Sequence, residues 1–188
     1  MTPALSGVKL TYEDLLQLPD DGLRHELIDG EHYVSAAPNF RHQVVSGRVF
    51  LLIGNWLEQH PFGRVLYAPF DIKFSDRDVV EPDLLYLSHG RGEAILTPER
   101  AIGAPELVVE IASPSTRRRD ETIKKHLYER AGVDEYWFFD PEIDVVRVYR
   151  RAGDGFGPVV ELSVDAGDVL TTPLLPGLDI PLAAIFKQ

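Results

Sequence analysis

Apolar positions along the chain follow two rhythms. Between residues 39 and 60, His42, Val45, Val49, Leu52 and Trp56 recur at spacings of three and four, the period of one buried helix face. Pro38-Asn39 opens that helix and His60-Pro61 closes it. Thr11 to Leu18 reads as a shorter helix, with Thr11 as cap, Asp14 at the third helical position and Pro19 as the stop. A third helix is expected from about Arg118 to Ala131, capped by Ser115 or Thr116 and ended by Gly132. Its Ile123, Leu127 and Ala131 form a core stripe, and Asp120, Lys124 and Tyr128 form a second stripe at the edge of the buried face.

The other rhythm is that of strands. Glu26 lies in the first of two short strands joined at Asp29-Gly30, a strong hairpin signal. Gly63 to Phe74 supplies two strands, or one long strand bent near Pro69. Short apolar runs bounded by turn residues follow at Leu84 to Leu87, Leu107 to Ile111, Glu135 to Phe139 and Val159 to Val164. Val145 to Arg151 alternates valine with arginine, the pattern of a half-exposed outer strand, and its Arg147, Arg150 and Arg151 make a small basic patch. His89 to Ala104 is rich in Gly, Pro and charge and reads as a mobile loop bordering a cleft. Leu170 to Phe186 is an apolar tail that must be buried, on the core or on a partner subunit. Gly47 and Gly54 inside the long helix point to close approach by another element, such as a second subunit. The whole implies an α/β (mixed α+β) chain: a central mixed β-sheet flanked by helices, with an N-terminal hairpin and extra C-terminal strands.

Composition narrows this picture. At 188 residues, with 44% hydrophobic and 26% charged positions, one domain spanning residues 1–188 is expected. No apolar run is long enough to span a bilayer and no signal peptide opens the sequence, so a cytoplasmic protein without membrane attachment is expected. The absence of cysteine excludes disulfides and thiolate zinc sites. A net charge of −11 argues against broad, sequence-blind duplex binding, which needs many cation–phosphate contacts. Positive charge is instead local, at Arg117, Arg118, Arg119, Lys124 and Lys125; such a cluster is either a nucleic-acid contact or a solvated helix start. Gly153 to Gly157 (GDGFG) is too short for a dinucleotide-binding loop, and no small organic cofactor is expected.

Glu110 is the chemical anomaly. An ionised carboxylate in a buried strand is expensive unless it is paired or ligates a metal. Asp83, directly after Pro82 at the start of another apolar strand, is the candidate partner, and Lys124 can reach the same strand end. Asp, Glu and Lys converging in this way make a metal-dependent phosphodiesterase site. The plainer reading is that Asp83 caps a turn and Glu110 pairs with Lys124.

The order Pro82-Asp83, then VVEIASPST, then D-x-x-x-K-x-x-x-Y, then GVDEYWFFDP resembles the Uma-type restriction endonuclease family, a branch of the PD-(D/E)XK nucleases. ELIDGE at the hairpin, the segment ending at His42 and the closing LPGLDIPLAAIF extend the likeness over nearly the whole chain. Position 112 is alanine where the superfamily usually carries lysine, and the resemblance implies that Lys124 replaces it. It further implies a restriction-endonuclease-like core and a DNA substrate, while a homodimer is expected from the helix glycines and the apolar tail. The site it implies holds Mg²⁺ or Mn²⁺ on Asp83, Glu110 and the Ile111 carbonyl. Glu26, His42, Asp120 and Tyr128 are auxiliary groups, and Arg117, Arg118, Arg119 and Lys125 are nucleic-acid contacts. By residues alone, Glu26 is equally a solvent-face hairpin residue and His42 a structural one. Two other functions fit the pattern: a catalytically silent nuclease-fold module that binds or dimerises, and a hydrolase of small phosphoesters.

Overall fold

The computed structural model describes residues 8–187. Thr11 caps α1 (Tyr12–Leu15) in a reciprocal box with Asp14, and the helix ends at Leu15, a few residues short of Pro19. β1 (Arg24–Ile28) and β2 (Glu31–Ser35) pair antiparallel about Asp29 and Gly30, whose φ values of 51° and 70° are those a tight two-residue hairpin requires. Asn39 then caps α2 (Phe40–Gln59), its side chain accepting the His42 N–H at 2.9 Å. The buried face of α2 runs His42, Val45, Val49, Ile53 and Leu57, so Leu52 and Trp56 sit at its margin. Among the described residues, a methyl group added at Gly47 would touch nothing within 4 Å, and one at Gly54 only Val65 at 3.9 Å, so no close approach among them requires either glycine.

β3 (Gly63–Tyr67) and β4 (Asp71–Ser75) are two strands that enter different sheets. β5 (Asp78–Val80) and β6 (Leu84–Ser88) follow. The segment expected as a mobile loop instead holds α3 (His89–Ile95), capped by Ser88, and β7 (Arg100–Ile102), parallel to β4. Two glycines in HGRGEAI depress helix propensity, and the helix forms because its cap and its packing on Leu87 override that deficit. It sits at the Ser88 end of β6, away from Asp83.

After β8 (Leu107–Ile111), α4 (Arg117–Arg119), a π turn (Asp120–Lys124) and α5 (Lys125–Ala131) make one helical rod, ended by Gly132 at φ 93°. β9 (Glu135–Asp140), β10 (Val145–Ala152), β11 (Gly155–Phe156), β12 (Val160–Ser163), β13 (Val169–Thr171), β14 (Asp179–Pro181) and α6 (Leu182–Phe186) complete the chain.

A seven-stranded sheet in the order β11-β10-β9-β8-β6-β3, with β12 beside β10, is the centre of a mixed α/β architecture. β8 and β9 are parallel and the remaining neighbours antiparallel, because the helical rod is the crossover between them. Alternation along the strands loads both faces. Val109, Ile111, Trp137 and Phe139 pack with α2, while Val108, Tyr136 and Phe138 pack with Leu127 and Tyr128 of α5. The apolar tail is buried on the first of these cores through Leu170, Leu175, Ile180, Ile185 and Phe186 of this same chain. A second sheet, β2-β1-β5-β4-β7, docks on the rod's side and carries Glu26 inward. Among the described residues, no helix is long and apolar enough to cross a membrane.

Gly63 is where β3 comes closest to β6: a Cβ there would lie 2.0 Å from the Leu87 carbonyl oxygen. Gly63→Ala is expected to cost about 1–3 kcal/mol in urea unfolding through forced backbone displacement. A loss below about 0.5 kcal/mol, the scale of an ordinary surface change, would show that the pairing adapts freely.

Candidate active site

The β6–β8 register pairs Leu84 with Val109 and so sets Asp83 beside Glu110 at one end of the central sheet. The Asp83 carboxylate is fully engaged. Its Oδ2 accepts the Ile111 N–H at 2.7 Å and meets His42 Nε2 at 3.1 Å, and its Oδ1 accepts two Arg24 nitrogens at 3.1 and 3.2 Å. Burial pushes this carboxyl upward, but His42, Arg24 and the Ile111 amide outweigh it and hold Asp83 below the usual carboxylate value. Arg24 is held in turn by Glu81 at 2.8 Å.

Glu110 reaches the helical rod. Its Oε1 accepts Lys124 Nζ at 2.8 Å and the Tyr128 hydroxyl at 2.5 Å. The same ammonium lies 2.6 Å from Glu26 Oε1, which also accepts the Glu81 N–H at 3.0 Å. Glu26 is 0% exposed, so the solvent-face reading of this hairpin residue is wrong. The physical reason is Lys124, a buried ammonium that needs acceptors and finds one on each sheet. The buried face of the rod is therefore the polar stripe Asp120, Lys124 and Tyr128 with Leu127, and Ile123, expected in the core, is 38% exposed. The π turn lies within this stripe, and the Tyr136 hydroxyl donates to its Asp120 carbonyl at 3.1 Å.

The charges do not balance. Five carboxylates, Glu26, Glu81, Asp83, Glu110 and Asp120, meet three permanent cations, Arg24, Arg119 and Lys124. Burial, reinforced by Asp120, Asp83 and Glu26, pushes Glu110 up to about 8 against the pull of Lys124. Burial likewise raises Asp120 to about 6. Burial alone would depress Lys124, yet Glu110, Glu26 and Asp120 together hold it above the ordinary lysine value. These directions agree once the cluster is treated as a whole: the single ammonium stays charged, and the surplus acid takes a proton or another cation. Glu26 Oε2 and Asp120 Oδ1 are buried without a hydrogen bond among the described residues.

Asp83, Glu110, Ile111, Lys124, His42 and Asp120 border one cavity of about 190 Å³, which Ser113, Ser115 and Thr116 also line. Neither Ser115 nor Thr116 caps the rod by a side-chain bond; Thr116 bonds Ser113 instead, at 3.0 Å. Of the four proposed nucleic-acid contacts only Arg119 borders the cavity, tied to Ser35 at 2.6 Å and placed over the Tyr33 ring. Arg117 is paired to Asp140 and Glu142, Arg118 is exposed, and Lys125 lies over the Tyr149 ring. Arg147, Arg150 and Arg151 are likewise consumed by Glu121, Glu161, Glu135 and main-chain carbonyls. Arg24 is the residue that pattern reading missed. Its signal was its place two residues before Glu26, on the same face of one strand.

No three His, Asp or Glu side chains among the described residues form a ready-made metal cage. The chemistry still suits a hard divalent cation: oxygen donors, surplus negative charge and orphaned buried carboxylate oxygens. Ile111 strengthens that fit, because its N–H points at Asp83 and its carbonyl leaves the strand on the same edge, beyond the start of β6.

No curated protein matches this chain. A crystal structure described as "a putative nuclease belonging to DUF820", from Anabaena variabilis ATCC 29413, has the same fold. It superposes with a TM-score of 0.79 over 94% of this chain and 97% of that one, at 19% identity. The family model described as Uma2, "Putative restriction endonuclease", matches residues 12–183, and by that match the chain belongs to the Uma2 family.

Proposed function

We propose that this chain is a nuclease that hydrolyses phosphodiester bonds of DNA with Mg²⁺ or Mn²⁺ held by Asp83, Glu110 and the Ile111 carbonyl. The observation that carries this reading is the surplus of buried carboxylates over cations at the end of β6 and β8, on the wall of a cavity. A cation held there would neutralise charge on the scissile phosphate and lower the pKa of water, so that a hydroxide nucleophile is available at neutral pH. Lys124 and Tyr128 fix Glu110 Oε1, which leaves Oε2, with no hydrogen bond among the described residues, as the ligand atom. An ammonium has three donors, and Lys124 spends two on Glu110 and Glu26; the third serves negative charge developing in the cavity. Arg24 exchanges a bond to Asp83 for a phosphate oxygen, which its planar fork suits, while His42 keeps Asp83 in place. The whole chain acts as one cytoplasmic domain. One site per chain calls for a homodimer where both strands of a duplex are cut.

One observation favours a silent binding module instead: protein donors already occupy both oxygens of Asp83. Calorimetric titration of Mg²⁺ and Mn²⁺ separates the two, with plasmid cleavage followed in parallel. The nuclease reading expects binding by the wild type that Asp83→Ala and Glu110→Ala both abolish, together with cleavage. A folded wild type that binds neither ion would reduce these carboxylates to structural ion pairs.

A further inference from the structure

A second groove, of about 270 Å³, opens beside the acid cavity and shares Arg24, Pro38, His42 and Asp83 with it. Its aromatic wall is Tyr67, the last residue of β3, which is 61% exposed and packs edge-on against Phe50 with ring centroids 4.8 Å apart. The next residue, Ala68, donates its N–H to the Asp83 carbonyl at 3.1 Å, so this wall is fixed to the chain segment that carries the site acid. The floor is α2 at Gly47. A glycine inside a helix costs about 0.5–1 kcal/mol relative to alanine, and here no neighbour among the described residues needs the space. Gln43 and Ser46 border the same groove, and neither side chain has a hydrogen-bond partner among the described residues. The cation at its mouth, Arg24, is already shared between Asp83 and Glu81.

An aromatic plane, an open floor, two unspent neutral hydrogen-bonding groups and no uncommitted charge suit a flat, uncharged ring with a polar rim. They do not suit a second phosphate, because the cation that borders the groove, Arg24, is the one assigned above to the phosphate in the acid cavity. We infer that the groove receives one unstacked nucleobase of the strand whose phosphodiester lies in the acid cavity. Tyr67 is its stacking platform, and Gln43 and Ser46 meet its edge. The inference rests on the phosphodiester reading above and narrows its substrate class: a base must be single-stranded, mismatched or turned out of a duplex to enter. It also eases the charge problem, since a chain of net charge −11 gains from stacking the affinity it cannot draw from phosphate contacts.

The test uses the full chain and short single strands carrying 2-aminopurine, whose fluorescence reports stacking, titrated in EDTA so that binding is read without cleavage. Wild type is expected to bind with a fluorescence change. Tyr67→Ala is expected to bind about 5- to 100-fold more weakly and to lose that change, as is Gly47→Leu, which fills the floor. Both positions are open to solvent, and thermal melts are the check that the variants fold. A Tyr67-dependent signal from a protein that cuts nothing in Mn²⁺ upholds the groove and sinks the nuclease. Metal-dependent cleavage that neither variant alters, or strand binding without a fluorescence response, overturns the groove alone. No strand binding by the wild type overturns it as well. A wild-type dimer that Gly47→Leu dissociates, with strand binding unchanged, assigns the groove to a second copy of the chain instead.

Discussion

Lys124→Met is expected to cost about 3–5 kcal/mol of folding stability and to make the protein depend on divalent cations. Methionine keeps the apolar stem, so the loss measures charge rather than volume. The side chain is 1% exposed and its ammonium lies 2.6 Å from Glu26 and 2.8 Å from Glu110, with Asp120 close enough to help keep it charged. Without it, Glu26 and Asp120 keep Arg119, and Glu110 keeps no directly paired cation among the described residues. They must then take up protons or recruit another cation. Urea unfolding at neutral pH, with and without Mg²⁺, reads both effects. Mg²⁺ should recover much of the lost stability but not the cleavage, because the donor aimed at developing charge is gone. A stability change below about 1 kcal/mol would mean that Lys124 is not the cluster's counter-charge.

The second large effect is a stability profile that falls as pH rises. Glu110 is raised from 4.5 to about 8 and Asp120 from 3.8 to about 6, so the folded state holds these protons more tightly than the unfolded chain does. Their contribution is complete below the ordinary carboxylate values and is lost as pH climbs through the raised ones. Asp83 has the opposite sign: its contribution is present above its ordinary value of 3.8 and is lost below it, outside this window. Between pH 5 and 6, where both acids contribute, the metal-free protein should lose on the order of 2–3 kcal/mol at most, and between pH 6 and 8, where Glu110 alone does, on the order of 1 kcal/mol per pH unit, each kcal/mol being roughly 2–4 °C in melting temperature. Glu110→Gln should flatten the profile, and Mg²⁺ should raise the melting temperature more at pH 8 than at pH 5. A flat wild-type profile would mean that Glu110 is already ionised, with Lys124 as sufficient partner.

How far the chain could be read by eye depended on where each residue's energy comes from. Leu107–Ile111 was legible to the residue, because an apolar run between turn signals needs no distant partner to define it. The Asp29-Gly30 hairpin and the α2 cap were legible for the same local reason. Asp83, Glu110 and Lys124 could be named as a group because a carboxylate in an apolar strand announces an unpaid desolvation. The burial of Glu26 could not be read, since it follows from an ammonium far along the chain. Neither could the orientation of the rod: apolar spacing favoured Ile123, but the acids behind it demanded Lys124 and Tyr128. α3 was hidden by its glycines, and Arg24 by the distance to Asp83.

The site straddles two sheets. Asp83 and Glu110 come from the ends of β6 and β8, whereas Arg24 and Glu26 stand two residues apart on one face of β1. That hairpin brings in one positive and one negative group, which meet a negative and a positive group already in place, so its docking is an electrically neutral exchange. A chain halted with only the wider sheet formed would carry its acids without their clamps. The complete cluster needs both sheets formed and docked on one another, so its integrity depends on the tertiary assembly rather than on either sheet alone.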